Sequence, residues 1–184
     1  TVVIRGDRIV DVGANPQIPA GARVIDLGNA TMMPGMVDAH VHVNTGGNTA
    51  AQRALIAAAN AQTDLEAGFT TVLDMDSRGG FNTVDLRDAI NAGLLQGPRM
   101  QVVGESLNQR ATNYYADTQS VRFYEGYTED KNVNGPWLAR AAVREAKLHG
   151  VDWVKIYTTQ DFEGTVHMWK PDATLINSPS LTFE

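Results

Sequence analysis

The chain contains no cysteine. That absence excludes a disulfide framework and any metal site built on thiolates, so a metal would have to rest on histidine, carboxylate or modified lysine. Nor is there a run of about eighteen consecutive apolar residues, the length that a membrane-crossing helix requires. The first residues lack the basic and apolar regions of a signal peptide. An excess of positive charge is missing too: the net charge is −6, which argues against nucleic acid or an anionic membrane as partner. These absences lead us to expect a soluble protein with no nucleic-acid or membrane partner. Its compartment is left open between cytoplasmic and, where a signal has been removed before residue 1, periplasmic or secreted. What is present is ordinary for a globular chain: 184 residues, 43% hydrophobic and 20% charged. That length can bury a substantial core in one domain, or one and a part.

One stretch organises the rest. In PGMVDAHVHV, residues 34 to 43, a Pro-Gly turn feeds a short strand. There Asp38, His40 and His42 alternate with Val37, Ala39, Val41 and Val43. Side chains two apart on a strand share a face, so the alternation predicts a polar row on one side and small apolar residues on the other. A barrel strand reads this way when helices cover its outside and a metal lies at the end of its inside. Two histidines on a partly exposed strand read the same way.

Upstream, TVVIRGDRIVDVG reads as a hairpin turning at Gly6-Asp7, and ARVIDLGNATMMP offers two more short strands. Strands this short do not make a stable domain alone. Downstream, the period changes from two to about 3.6. Residues 49 to 67 predict a helix capped by Thr49 and stopped by Gly68, with an apolar stripe of Ala54, Leu55, Ala58, Ala59, Ala61 and Leu65. FTTVLDMDS, 69 to 77, is a strand with Asp74 and Asp76 on one face near its end. VDLRDAINAGLLQG is a helix built on Val84, Leu86, Ile90 and Leu94, and RMQVVGES is a third strand. Residues 105 to 135 form one long irregular segment, a length typical of functional loops. WLARAAVREAKLHG is a third helix ended by Gly150, and VDWVKIYT a fourth strand. SLTFE has the look of the first turn of another helix.

Strands alternating with helices argue for a parallel sheet with right-handed crossovers, either doubly wound or part of an eight-stranded barrel. A doubly wound sheet would carry a glycine loop for phosphate after its first strand. Here the strand ends in His-Val-His-Val-Asn, and Gly46-Gly47 does not complete such a loop. The barrel is the better choice. In a parallel barrel the C-terminal strand ends meet at one face, which brings His40 and His42 toward Lys155. Lys155 lies in the apolar run WVKIY, where a buried ammonium is costly. Depressed toward neutrality, it can take up CO2 and become a carbamate able to bridge two divalent metals. It can also extend from the strand end into solvent, or pair with Asp74 or Asp76.

MMPGMVDAHVHV, EAGFTTVLDM, LRDAINAGLLQGPRM and GVDWVKIY together resemble the amidohydrolase superfamily, in its branch of imidazolonepropionases and metal-dependent Xaa-Pro dipeptidases. The similarity covers nearly the whole chain. It implies an α/β fold: the N-terminal half of a (β/α)8 TIM barrel, residues 34–184, preceded by part of a small β-sandwich, residues 1–33. It also implies that His40 and His42 bind the more buried of two divalent metals, zinc being the usual ion, and that Lys155 is the carboxylated bridging ligand. A metal-bridging hydroxide would then attack an amide, a peptide bond as in dipeptidases and carboxypeptidases, or a cyclic amide.

The chain departs from the family pattern by stopping before the fifth strand. Two further histidines and the catalytic aspartate are therefore expected beyond residue 184. His149 reads as a surface residue closing a helix, and His167 matches no ligand position. Asp74 is expected to make a hydrogen bond behind the ligands. Arg110, Tyr114, Tyr157 and Gln160 are expected to shape a pocket for a small-molecule or peptide substrate. The missing barrel half is expected from the same or another chain, and an oligomer is expected. The alternative is a non-catalytic half-barrel or assembly fragment without a complete active site. A phosphotriester or nucleobase hydrolase would use the same architecture.

Overall fold

The computed structural model describes residues 1–44, 46–47, 49–77, 80–107 and 136–156. The chain divides into two compact units, Thr1–Pro34 and Gly35–Glu184. In the first, β1 (Val2–Arg5) pairs antiparallel with β2 (Arg8–Val12) across the expected turn, where Gly6 takes φ 62°. The Gly13 N–H donates to the Thr1 carbonyl at 3.1 Å and closes the open end. The two strands expected between residues 22 and 33 do not form. This segment is held by tight turns, Ala22 N–H to Pro19 and Ala30 N–H to Leu27, both 3.1 Å. A β-branched sequence becomes a strand only beside another strand's N–H and C=O groups, and none of the described backbone is paired with it. Val24 and Ile25 remain 68% and 66% exposed.

The second unit begins with β3 (Met36–Val41), α1 (Ala50–Glu66), β4 (Phe69–Asp74), α2 (Asn82–Asn91) and β5 (Arg99–Val102). The three strands form a parallel sheet in the order β3-β4-β5, each joined to the next by a helix. The helix α1 starts where expected, with the Thr49 hydroxyl accepting the Gln52 N–H at 3.2 Å. It ends at Gly68, whose φ of 98° is unfavourable for residues with a side chain. Thr49→Ala is expected to lower stability by about 1 kcal/mol, read as a shift of the denaturation midpoint with an unchanged slope.

The buried face of α1 differs from the expected stripe. Arg53, Ala57 and Ala61 point into the core, while Leu55 is 73% exposed. Alanine is apolar enough to suit either side of such a helix, so an Ala-rich sequence does not fix its rotation. The second helix also ends earlier than its periodicity suggests. Gly93 adopts φ 73°, and Leu94, expected on the apolar face, is 77% exposed. Val84 and Leu86 are buried as expected.

The last described elements are α3 (Pro136–Leu148) and an extended stretch beside β5. Instead of a regular fourth strand, this stretch makes one parallel bridge, Leu107 to Ile156, and donates from Asp152 N–H to the Val102 carbonyl at 2.8 Å. Two features interrupt the ladder. Gly104 turns the β5 side at φ 66°, and the Asp152 carboxylate itself accepts the Val102 N–H at 2.9 Å. The same carboxylate oxygen receives Arg87 of α2 at 2.8 Å, and Arg87 also donates to the Gly150 carbonyl at 2.9 Å. This clasp ties the start of the fourth segment to α2.

Candidate metal centre

The register of the sheet sorts its side chains. Val72 pairs with Met100, and Asp74 with Val102; all four are buried against the helices. Thr71 pairs with Arg99 and Leu73 with Gln101, which puts these residues on the other face. Val37, opposite Thr71, belongs to that face and is 69% exposed.

A bulge in β3 decides where the histidines go. Asp38 lies opposite Val72 and Val41 opposite Asp74, so three steps on β3 match two on β4. The extra residue breaks the alternation. Asp38 and Val41 both take the helix-facing side, and His40 and His42 take the open one. The polar row expected from the sequence thus loses its first member. The position of Asp38 is registered on α1, where Asp64 has a raised carboxyl pKa because of partial burial and, second, the charge of Asp38.

The two imidazoles come together, with ring centroids 5.2 Å apart and planes inclined by 65°. His40 is exposed and His42 half-buried. The Nδ1 atom of His42 is buried without a hydrogen-bond partner. An imidazole nitrogen in that state calls for a proton acceptor, a donor or a cation, and a second imidazole beside it suits a divalent metal. Trp153 donates its indole N–H to Gln101 Oε1 at 2.7 Å, which fixes Trp153 on the open face. Lys155, two residues on, is half-buried. Its carbonyl accepts the Leu107 N–H at 2.8 Å. Among the described residues, no group of three or more His, Asp and Glu side chains converges as a metal site. The imidazoles of His40 and His42 are thus the pair of nitrogen donors that the described residues bring together.

Asp74 lies on the opposite, helix-facing side, fully buried. Its Oδ1 accepts the N–H of Val43, the residue after His42, at 3.1 Å. Burial pushes its pKa up to about 7, and the charge of Asp76 adds to that rise. The Val43 N–H and the neighbouring Thr83 hydroxyl act in the opposite sense. Asp76 instead accepts the Ser106 N–H and hydroxyl at 3.3 and 3.1 Å.

Around Asp74 stands a polar cluster that the sequence did not announce. Asn60 of α1 donates to the Val43 carbonyl at 2.8 Å. Asn44 donates to Asn82 Oδ1 at 3.2 Å, and the Ser77 hydroxyl donates to the same oxygen. Isolated asparagines and serines near predicted strand ends are too common to single out. The one available signal was Asn60, a poor helix former in the middle of an Ala-rich helix.

Arg110, Tyr114, Tyr157, Gln160 and His167 lie outside the described residues. His149 stacks on Phe81 at 3.9 Å and 13° at the end of α3. Among the described residues, no helix is long and apolar enough to cross a membrane.

Residues 31–175 match the model of the amidohydrolase family. An imidazolonepropionase of Streptomyces avermitilis is 31% identical over 103 residues, 47% of this chain and 25% of that protein. The crystal structure of a Xaa-Pro dipeptidase with methionine in its active site matches with a TM-score of 0.57 at 32% identity, covering 68% of this chain and 34% of the other. A prolidase complexed with N-methylphosphonate-L-proline matches with a TM-score of 0.74 at 28% identity, covering 98% of this chain and 45% of the other. The chain thus spans less than half the length of each of these proteins.

Proposed function

Because the chain belongs to the amidohydrolase family, we propose that it forms the metal-binding part of a hydrolase that cleaves a C–N bond in an amide, a dipeptide-like substrate or a cyclic amide. The observation that carries this reading is the His40–His42 pair, with the buried unpartnered Nδ1 of His42. Similarity to an imidazolonepropionase, a Xaa-Pro dipeptidase and a prolidase supports the bond type. On this reading the parallel sheet is the first part of an eight-stranded barrel, residues 34–184. Residues 1–33 are part of a small β-sandwich.

His40 and His42 hold one divalent cation, zinc by preference for imidazole donors. Lys155, carboxylated by CO2 with release of one proton, would supply a carbamate as the further anionic ligand. When bound, the cations supply Lewis-acid polarisation of the scissile carbonyl and an acidified water as nucleophile. The open face gives substrate access to these side chains, while the Asp74 bond to Val43 fixes the main chain behind them. Arg110 pairs with a substrate carboxylate, and Tyr114, Tyr157 and Gln160 line the pocket. The remaining ligands and the catalytic aspartate come from further residues of the same or another chain, and the protein is an oligomer.

A non-catalytic assembly role has one observation in its favour, the absence of a third His or carboxylate ligand among the described residues. Native mass spectrometry with metal analysis of the full-length protein separates the two readings. Bound zinc and a mass one CO2 above that of the sequence are expected, with the CO2 increment lost in Lys155→Ala. Finding neither metal nor adduct would overturn the hydrolase reading.

A further inference from the structure

The two peptides on either side of Val43, the residue after His42, are each gripped by a side chain from a different element. The Val43 N–H donates to Asp74 of β4 at 3.1 Å, and its carbonyl accepts from Asn60 of α1 at 2.8 Å. Val43 is 2% exposed, so neither group has water to fall back on. Seven residues before Asn60, on the same face of α1, Arg53 is wholly buried and donates to the Gly47 carbonyl at 3.3 Å. The helix therefore turns two polar side chains, flanking Ala57, onto both ends of the turn that leaves β3. An alanine at position 60 would be the better helix former. Holding the Val43 carbonyl is what the side chain achieves in return.

We propose that Asn60 is a positioning residue for His42. Its bond to the Val43 carbonyl fixes the Val43–Asn44 peptide while Asp74 holds the His42–Val43 peptide through the Val43 N–H, so the two side chains together set the main-chain path at Val43 on which the direction of the His42 imidazole toward His40 depends. Release of the Val43 carbonyl would let the backbone turn at Val43 and strain the Asp74 bond to the His42–Val43 peptide, which loosens the approach of the two imidazoles. The inference rests on His40 and His42 being metal ligands.

The test uses the full-length protein and Co2+ as probe, with affinity measured by chelator competition and geometry by the visible absorption of the bound ion. Asn60→Ala removes the donor; Asn60→Asp keeps the shape and presents only acceptors. Ala57→Gly, on the same buried face, weakens the helix without touching the Val43 peptide. Both Asn60 variants are expected to bind Co2+ about tenfold more weakly or worse, with an altered spectrum. Ala57→Gly, at a comparable loss in unfolding midpoint, is expected to keep wild-type affinity and spectrum. Should neither Asn60 variant fold, Asn60→Ser, which retains a shorter donor, is expected to show the same loss in smaller measure. Wild-type affinity in the Asn60 variants, or an equal loss in Ala57→Gly, overturns the positioning role and leaves the metal reading standing. A wild-type protein that binds no Co2+ overturns the metal reading and this inference with it.

Discussion

His42→Ala in the full-length protein is expected to strip one metal from the site and to lower hydrolysis by at least roughly a thousandfold. The magnitude follows from the several kcal/mol that a positioned Lewis acid contributes to the transition state, each ~1.4 kcal/mol being a factor of ten. The variant should fold, because His42 is only half-buried and its Nδ1 makes no hydrogen bond that the fold would lose. Asp38→Ala is the informative contrast. A strand without a bulge would place Asp38 in the same row as the imidazoles, and its loss would then disturb the metal. The observed register turns Asp38 toward α1. Metal content should therefore survive Asp38→Ala and fall in His42→Ala, as read by elemental analysis of the purified proteins. Retention in both would contradict the ligand assignment, and equal loss in both would assign Asp38 a part in the site through the His40 N–H that it accepts at 2.9 Å.

The metal-free protein is expected to lose stability as pH rises from about 4 to about 7, and Asp74→Asn is expected to remove that dependence. The carboxyl of Asp74 has a pKa near 7 in the folded chain against an ordinary value of 3.8. The folded state therefore binds more protons than the unfolded state between these two values, and stability falls with rising pH across that window. Below about 4 the contribution is fully present, and above about 7 it has been lost. The three-unit difference corresponds to roughly 4 kcal/mol as an upper bound, a large part of the stability of a typical domain. Asparagine keeps an oxygen for the Val43 N–H and carries no charge at any pH. Urea titrations of both proteins at pH 4 and pH 8 measure the effect as a difference of differences. A gap between wild type and Asp74→Asn that stays constant across this range would refute the burial of an ionisable carboxyl at this position.

The parts of the structure legible in the sequence are those written in local chemistry. Thr49 and Gly68 mark the ends of α1 because a side-chain acceptor and a left-handed residue are needed there. The alternation of strand and helix gives the parallel order because crossovers of that length leave few other options. The pairing of His40 with His42 was legible too, since two residues apart on a strand is close under most registers. What escaped depends on partners remote in sequence. A bulge is a relation between β3 and β4, and no pattern within β3 alone reveals that Asp38 leaves the row. The rotation of α1 was hidden by its alanines, so that Arg53 and Asn60 reached the core unannounced. Residues 22–33 have strand-forming side chains but pair with neither β1 nor β2. The two strands that this propensity predicted do not form, because propensity alone does not supply a pairing edge.

The clasp between Arg87 and Asp152 also has a bearing on how the chain assembles. In the sheet, β3 finds β4 and β4 finds β5 within one helical crossover each, so these pairings need only short loops to close and can form in the order in which a ribosome delivers them. Arg87 meets Asp152 across 65 residues, after α3 has emerged. Until then the Val102 N–H lacks its carboxylate partner, and the growing sheet has an unfinished edge at β5. The aspartate that interrupts the ladder in the finished protein is thus also the group that seals this edge during synthesis, and its arrival sets the time for which a half-made sheet stands open to other chains.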